Sequence, residues 1–430
     1  MLDLATLERD LRENAFADRR GSDGPPMVGA EVELIPVDAE TRAQLPICAE
    51  GGRSTLPFLH AFAARHGWTE TASVYGMPNW RLPDEGTITF EPGGQIELSA
   101  PPFASASALL ASLRDVVRVL IREAREEGIE LLSVGIEPLG AVDEVPLQLP
   151  GKRYVRLTRF MEDFGTGGTR MMRQTAAFQC NLDWGGDAFA RWRFLNALAP
   201  YTVAIFANSP IYRGRDAGER SFRARVWREL DGGRAGIFAA DAADPVPEYL
   251  RFALDAPAIL LPFEHDGWPS FAAWNERDRV TMEDWHAHLT TLFPDVRPKG
   301  FVEVRGADAV AHEWYAAPIA FLAGLTYHAP TFAAARELVG APDPALLDRA
   351  GREGLCDERI AAAARDLFAL ALAGCEALGP AFLAPADLEE ARAFYATYTA
   401  RGRSPADDAL AAFTTPEPAR RVETLPARKS

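Results

Sequence analysis

The chain of 430 residues is 48% hydrophobic and has a formal net charge of −16 at pH 7. This length and apolar content allow one large domain or two, with a sizeable core. The negative charge argues against a nucleic-acid partner or an anionic membrane surface, because both attract a basic protein face. A small anionic substrate is still compatible with this charge, since such a ligand is recognised locally.

The four cysteines are far apart and form no CxxC pair, which is typical of reduced thiols inside a cell. The N-terminal twenty residues carry charges where a signal peptide has an apolar core. No segment contains the roughly twenty apolar residues that a membrane span requires. These features predict a cytoplasmic protein without a membrane partner.

The first predicted elements are a helix and a strand. Leucines at helical spacing predict a helix over Leu2–Asn14, which the cluster GSDGPP ends. The following stretch MVGAEVELIPV alternates in hydrophobicity, as a half-buried strand does. Its period of two residues places Glu31 and Glu33 together on the face opposite the apolar one.

Further elements follow in mixed order, without the regular alternation of a doubly wound fold and without a GxGxxG motif. Amphipathic spacing predicts helices at Leu56–His66, Ser105–Glu127, Ala188–Asn208, Glu283–Phe293 and Ile360–Leu378. The strand candidates are ELLSVGIEP, TAAFQCNLDW and KGFVEVRG. After His328 the chain is alanine-rich and helical, and it ends in a polar, proline-containing tail.

The segment TFEPGGQIELSAPP places Glu91 and Glu97 on either side of a Pro-Gly-Gly turn, within an otherwise apolar strand pattern. Burying an ionised carboxylate in a half-buried strand destabilises the fold by roughly several kcal/mol unless the carboxylate is paired or bound to a cation. Two interpretations are open at this point. The segment is either an exposed hairpin with a solvated face, or part of a site for a metal or a cationic substrate.

Four strand candidates repeat the same pattern of polar residues two positions apart. The residues are Glu31 with Glu33, Gln95 with Glu97, Gln179 with Asn181 and Asp183, and Glu303 with Arg305. A single pair fits a solvated strand face equally well. If the strands are neighbours in one sheet, however, their acids share a surface that needs cations. Oxygen ligands of this kind suit Mg²⁺ or Mn²⁺, and such ions commonly share ligands with phosphate groups.

A basic run, SFRARVWRELDGGRAG, stands out in this acidic protein because it brings Arg223 and Arg234 close in sequence to Trp227. Arginine forks bind carboxylates and phosphates, so the run is a candidate anion site. The alternative is a surface loop that pairs with nearby acids. RPKGFVEVRGAD adds Arg297, Lys299 and Arg305 to Glu303, a mixture expected where a metal and a transferring phosphoryl group meet.

Six blocks then occur in the order and spacing of a known family: GAEVEL, TFEPGGQIELS, MMRQTAAFQCNLD, FANSP, SFRARVW with DGGRAG, and HLTTLFPDVRPKGFVEVRGAD. Over Val28–His328 the chain resembles the plant-type glutamate-cysteine ligases, whose bacterial relatives serve glutathione or ergothioneine synthesis. The resemblance implies an α+β, glutamine-synthetase-like catalytic fold. In that fold a curved, mainly antiparallel sheet of about six strands forms a funnel with helices packed outside.

The resemblance also implies an activity: phosphorylation of the γ-carboxylate of L-glutamate by ATP, followed by attack of the amino group of L-cysteine. The products are γ-glutamylcysteine, ADP and phosphate, and the cofactors are ATP and about two or three Mg²⁺ ions, with Mn²⁺ as an alternative. We divide the chain into a ligase core at 1–340, a helical extension packed on it at 341–413 and a disordered tail at 414–430. The enzyme is expected to be a monomer or homodimer.

Carried over motif by motif, the resemblance gives each candidate residue a role. The implied metal ligands are Glu31, Glu33, Glu91, Glu97, Gln179 and Glu303. The implied substrate and ATP contacts are Arg223, Trp227, Arg234, Asn181, Lys299 and Arg305. Glu97 and Arg305 are the implied catalytic residues, and catalysis would depend on positioning and electrostatics without a covalent nucleophile.

The chain departs from the plant sequences where they read MMLRTCTVQVNLD, since the arginine moves to Arg173 and Gln174 takes its place. If this segment is a strand, the shift moves the charge to the opposite face. The acceptor amine is therefore open, and the first alternative is a related carboxylate-amine ligase that uses another amine. Two further alternatives are a regulator that has kept the fold and lost the chemistry, and a guanidino kinase, which shares the broad fold.

Overall fold

The computed structural model describes residues 1–18, 24–72, 75–163, 165–239, 242–260, 267–277 and 279–414. Within them the chain forms thirteen strands and sixteen α-helices. The strands are β1 (Val28–Asp38), β2 (Thr69–Thr71), β3 (Asn79–Arg81), β4 (Thr87–Phe90), β5 (Ile96–Ser99), β6 (Ile129–Leu132), β7 (Ala177–Leu182), β8 (Ile211–Tyr212), β9 (Arg215–Asp216), β10 (Ala235–Gly236), β11 (Phe293–Pro294), β12 (Val296–Pro298) and β13 (Val302–Asp308). The helices are α1 (Leu4–Asp10), α2 (Thr55–Arg65), α3 (Ala106–Glu126), α4 (Lys152–Glu162), α5 (Thr166–Gln174), α6 (Ala188–Ile205), α7 (Phe222–Arg228), α8 (Val246–Asp255), α9 (Phe271–Arg277), α10 (Met282–Leu289), α11 (Ala316–Tyr327), α12 (Ala329–Val339), α13 (Pro344–Glu353), α14 (Glu358–Leu378), α15 (Pro385–Thr397) and α16 (Pro405–Thr414).

One large antiparallel sheet organises the fold. In the described part of the chain it has nine strands in the order β12-β13-β7-β1-β5-β4-β3-β2, with β6 paired to the second half of β1. The expected α+β class and antiparallel sheet are confirmed. The strand number exceeds the expected six or so because β2, β3 and β12, of 3 residues each, extend the edges.

The two faces of β1 differ as its alternation predicts. Val28, Val32 and Leu34 are at most 2% exposed, whereas Glu31 and Glu33 are half-buried on the other face. Helix α3 packs on β1 and β6, α6 packs on β13, and α11 packs on β7. The helices therefore cover the apolar face of the sheet, and its polar face is left to line a cavity.

Helix α3 shows how local sequence sets these elements. Ser105 caps its N-terminus by accepting a hydrogen bond from the backbone amide of Ala108, and Leu109, Leu113 and Val117 along one side are fully buried. The other predicted helices are also present, with ends shifted by a few residues. At the N-terminus, α1 continues as a short π-helix over Leu11–Ala15.

The strand candidate ELLSVGIEP is only partly correct. β6 ends at Leu132, and the chain then turns, with the Glu137 carboxylate accepting the backbone amides of Leu139 and Gly140 at 3.0 and 2.6 Å. The Glu137 side chain thus stabilises a loop by accepting two of its backbone amides. The segment is therefore a short strand followed by a loop.

The alanine-rich region after His328 is helical as predicted. It forms α12 to α16, and α14 packs along α11, which itself lies behind β7. The division of the chain at residue 341 stays a prediction, and residues 415–430 of the expected tail lie outside the described residues. None of the described helices is long and apolar enough to cross a membrane.

We predict that Gly324→Ala destabilises the fold. A Cβ at Gly324 would lie 2.1 Å from the Ala371 carbonyl oxygen, because α11 and α14 approach through their backbones. Overpacking of this kind costs about 1–3 kcal/mol and outweighs the better helix propensity of alanine. Urea unfolding measures the change. Gly186→Ala is the control, since nothing lies within 4 Å of a Cβ there, and equal stability of both variants would contradict the prediction.

Candidate active site

Four adjacent strands bring the polar pairs of the sequence onto one face. Across β1 and β5, Glu33 lies opposite Glu97; across β1 and β7, Glu31 lies opposite Gln179. Across β7 and β13, Asn181 lies opposite Glu303. The condition set by the sequence pattern, that these strands are neighbours in one sheet, is therefore met.

The Pro-Gly-Gly turn between β4 and β5 is packed against the protein and is not an exposed hairpin. A Cβ at Gly93 would lie 1.9 Å from the Arg173 carbonyl oxygen, so only glycine fits there. The buried Gln95 side chain accepts a bond from the Gly93 amide at 3.0 Å and donates to the Thr175 carbonyl at 2.8 Å. The turn fixes Glu91 at the rim of the acidic face.

A cavity of about 420 Å³ opens over this face, a volume typical of small-molecule sites. Ten of the twelve residues that the sequence nominated contribute to its wall. They are Glu31, Glu33, Glu91, Glu97, Gln179, Arg223, Trp227, Lys299, Glu303 and Arg305. The structure thus brings together side chains from β1, β5, β7, β13 and α7.

The acidic half of the cavity is electrostatically strained. Burial, followed by the charge of Glu33, raises the pKa of Glu91 to about 8. Burial also raises the pKa of Glu97 well above its usual value, and the charges of Glu31 and Glu91 add to the shift. Burial raises the pKa of Glu33 in the same direction. Clustered carboxylates of this kind favour a bound cation.

Hydrogen bonds hold these carboxylates in place. Glu33 accepts the Ala177 amide at 2.8 Å and the Gln179 side-chain amide at 3.0 Å. Glu97 accepts the hydroxyls of Thr89 and Ser99 at 3.2 and 3.1 Å. The donors leave further lone pairs of each carboxylate free to face the cavity.

The pKa of Glu303 is shifted in the opposite direction to those of Glu33, Glu91 and Glu97. Its carboxylate lies 2.7 Å from Lys299 Nζ, 2.7 Å from Arg305 Nη1 and 3.5 Å from Arg297 Nη1. Burial alone would raise its pKa, but Arg305, Arg297 and Lys299 outweigh burial and hold the pKa of Glu303 far below its usual value. Both oxygens of this expected metal ligand are therefore engaged by cations of the chain itself.

The basic half of the cavity is built around Trp227. The segment SFRARVW is not a surface loop but helix α7, so Arg223 and Trp227 lie one turn apart on one face. The guanidinium groups of Arg223 and Arg305 lie 5.8 and 5.4 Å from the Trp227 ring. Arg305 also donates to Gln179 Oε1 at 2.6 Å, which links the basic half to the sheet.

Two nominated residues lie elsewhere. Arg234 is fully buried and donates to the Thr291 carbonyl and hydroxyl and to the Pro257 carbonyl, with its guanidinium over the Phe160 ring. The structure does not place it in the cavity wall, because its donors are used to hold backbone. Asn181 lines an adjoining cavity of about 360 Å³, and it donates to Glu31 at 3.0 Å.

The expectation about Arg173 and Gln174 was wrong. Both belong to helix α5, which ends at Gln174, so no strand face is exchanged. Arg173 donates to the Val145 carbonyl at 3.1 Å. Gln174 is buried and accepts a bond from the Tyr212 hydroxyl at 3.1 Å.

Sequence reasoning missed several residues of the cavity wall. They are Tyr75, Pro92, Arg153, Tyr154, Leu157, Met171, Met172, Thr175, Thr290 and Phe293, together with Gln95 and Arg297, which the sequence had shown only as neighbours of candidates. Five of these twelve come from helices α4 and α5, whose apolar spacing gives no sign of a ligand: Arg153, Tyr154, Leu157, Met171 and Met172. The doublet Met171-Met172 within a family block was the one available signal.

A divalent metal fits the donor chemistry of the acidic half, although no group of three His, Cys, Asp or Glu is already arranged around one point among the described residues. Mg²⁺ is commonly held by one or two carboxylates, with water and substrate phosphates completing its shell. The buried acids with raised pKa values, which lie opposite the cations paired with Glu303, agree with a metal that shares its ligands with substrate. They do not agree with a metal site made only of protein ligands.

The fold of the described residues is shared with a ligase of known structure. A crystal structure of a glutamate–cysteine ligase from Francisella tularensis, in complex with AMP, shares the fold with a TM-score of 0.52 at 12% identity. That likeness covers 93% of this chain and 86% of the other.

The particular family follows from sequence. The profile of Glutamate-cysteine ligase family 2 (GCS2) matches residues 27–424, and the chain belongs to this family. The glutamate–cysteine ligase EgtA of Mycolicibacterium smegmatis is 36% identical over 360 residues, covering 80% of this chain and 82% of its own length. The chloroplastic glutamate–cysteine ligase B of Oryza sativa subsp. japonica is 32% identical over 288 residues, covering 63% of this chain and 57% of the plant protein. The predicted family is confirmed, and the chain is an enzyme of the ligase class.

The raised pKa of Glu91 predicts a pH-dependent effect of Glu91→Gln on stability. Between its ordinary value of 4.5 and about 8, the folded chain keeps a proton that the unfolded chain has lost. Stability from this group therefore falls as the pH rises through that window. In metal-free buffer the Tm of Glu91→Gln, relative to wild type, should increase from about pH 6 to pH 8. Scanning calorimetry measures it, and a pH-independent difference would argue against the burial of this charge.

Glu303→Gln serves as the matched comparison with the opposite sign. Because the pKa of Glu303 is lowered, its stabilising charge is fully present throughout about pH 6 to 8 and is lost only in acid. Removing it leaves Lys299, Arg297 and Arg305 without their common partner, which costs about 3–5 kcal/mol. We expect a large Tm decrease that is the same at both pH values. A variant as stable as wild type would show that these ion pairs contribute little.

Proposed function

We propose that this enzyme is an ATP- and Mg²⁺-dependent glutamate–cysteine ligase that forms γ-glutamylcysteine through a γ-glutamyl phosphate. The observation that carries the proposal is the division of one cavity into two halves of opposite charge. Four carboxylates line the sheet, and Arg223, Arg305 and Lys299 face them. Transfer of a phosphoryl group between anionic reactants needs both halves.

The acidic half would hold the metal. Its ligands would come from Glu31, Glu33, Glu91, Glu97 and Gln179, and bound Mg²⁺ would neutralise the phosphates of ATP. Glu303 could join them only by giving up its ion pairs with Lys299 and Arg305. We therefore assign to Glu303 the role of fixing those two cations.

The basic half would bind the anionic reactants. Lys299 and Arg305 would stabilise the charge that develops on the transferring phosphoryl group, and Arg223 would hold a carboxylate or a phosphate. The γ-carboxylate oxygen of glutamate forms a bond to the terminal phosphorus, and the bond from that phosphorus to ADP breaks. The acceptor nitrogen then forms the amide bond as phosphate leaves. Trp227, between the two arginines, limits their freedom to move.

The EgtA relative supports cysteine as acceptor, and the product would serve ergothioneine or glutathione synthesis. The test is ADP formation with ATP, Mg²⁺, glutamate and a panel of amines, with product masses measured. Cysteine should give the highest kcat/KM. Amide formation that ignores cysteine but responds to another amine would replace the proposal by the related carboxylate-amine ligase.

We predict that Glu97→Gln lowers turnover by about 10²-fold or more while the fold is kept. Glu97 lies opposite Glu33 at the centre of the acidic face, so its loss removes a charge that would face the metal. Turnover at saturating Mg²⁺ and circular dichroism are the measurements. Glu130→Gln is the control, because Glu130 is a strand glutamate paired with Arg42 and absent from the cavity wall. Near wild-type turnover of Glu97→Gln would remove Glu97 from the metal site.

A further inference from the structure

Asp308, at the end of β13, connects three of the family blocks, of which FANSP has so far been assigned no role. Its carboxylate is fully buried and does not line the cavity. One oxygen accepts the Asn208 amide at 2.8 Å and the Ser209 hydroxyl at 2.6 Å. The other accepts the Ser221 hydroxyl at 2.9 Å. The blocks FANSP, SFRARVW and RGAD therefore meet at one carboxylate.

The same two serines define the start of α7. Ser209 Oγ accepts the Arg223 backbone amide at 3.1 Å, and Ser221 Oγ accepts the Ala224 amide at 3.0 Å as the N-cap of the helix. Each hydroxyl thus donates to Asp308 and accepts from the first turn of α7. Asp308 orients both hydroxyls, because a carboxylate can only accept.

The Arg223 side chain is held from the same point. Its Nη1 lies 3.8 Å from Asp308 Oδ1, and its Nη2 donates to the Arg305 carbonyl at 3.0 Å. Arg223 is only 3% exposed and still reaches the cavity wall. Both its backbone and its guanidinium group therefore depend on β13.

The surroundings of Asp308 leave it no room to shift. A Cβ at Gly135 would lie 2.4 Å from Asp308 Cγ. Asn208 spans the same region by donating to the carbonyls of Ser133 and Ala309 at 2.9 and 2.8 Å. The carboxylate thus has one fixed orientation, set by backbone from several segments.

We propose that Asp308 is a positioning residue that places Arg223 in the cavity, so that this arginine can hold an anionic group of the substrates. The inference rests on the proposed function only in taking Arg223 as a substrate contact. It assigns Asp308 no contact with substrate, metal or reacting atoms. Its function is to couple the end of β13 to the first turn of α7.

The test is a double-mutant cycle of Asp308→Asn and Arg223→Ala. An amide keeps one acceptor oxygen and presents a donor to the serine hydroxyls, so it disturbs the cluster without changing its size. Asp308→Asn should lower kcat/KM for glutamate by about 10- to 100-fold, as expected for a misplaced binding group. In the Arg223→Ala background the same change should have an effect of about twofold or less.

Asp387→Asn is the matched control, because Asp387 also accepts from a serine hydroxyl and an arginine, Ser107 and Arg114, but lies outside the cavity wall. It should change Tm while kcat/KM stays within about twofold of wild type. Ser209→Ala, which removes only one arm of the cluster, should reproduce part of the Asp308→Asn effect. It provides the measurement if Asp308→Asn does not fold.

Several outcomes would overturn the inference. The first is that Asp308→Asn and Arg223→Ala lower kcat/KM for glutamate independently, so that their effects multiply in the double variant. The second is that the loss of kcat/KM in Asp308→Asn only matches the loss of folded protein. The third is that Arg223→Ala has the same kinetics as wild type. Calorimetry measures the binding of Mg²⁺-ATP and of glutamate to wild type, the two single variants and the double variant. These affinities separate this inference from the proposed function. If wild type forms no amide with any amine, the proposed function fails. Non-additive weakening of binding by the two substitutions would still support Asp308.

Discussion

The structure depends on one constraint, the collection of like charges on the inner face of β1 and its neighbours. Glu33 faces Glu97 across one strand pair, and Glu31 faces Gln179 across the other. Each strand must bury its apolar face against helices, so the acids cannot turn away without exposing the core. The remaining solution is to keep the acids inward and to supply positive charge from outside the sheet or from a ligand.

Two of the cations in the cavity wall, Lys299 and Arg305, are paired with Glu303. This carboxylate gathers Lys299 and Arg305, which would otherwise neutralise the acids of β1 and β5 directly. An internal counter-ion therefore preserves the separation between the acidic and basic halves of the cavity. The separation leaves the acidic half available to a cation that arrives with substrate, which is the situation magnesium nucleotides require.

The sequence predicted the strand faces well, because Glu31, Glu97 and Glu303 each sit in a clear alternation of apolar and polar residues. Which strands are neighbours cannot be read from periodicity, since pairing is decided by contacts far apart in the chain. The order of the family blocks supplied the set of residues, but not their burial. Arg234 shows this limit: its position in a motif gave no sign that the Phe160 ring and the Thr291 carbonyl enclose it.

The strand order also has a consequence for how the chain folds. β1 lies between β5 and β7, and β13 joins β7 on its other side, so the polar face is complete only after residue 308 has been synthesised. Long-range antiparallel pairing of this kind is slow, and unpaired strand edges invite aggregation. Until β7 arrives, the edge of β1 presents Glu31 and Glu33 to water. Charged residues on an edge strand discourage pairing with other chains, so the two residues proposed as metal ligands would also protect the nascent sheet.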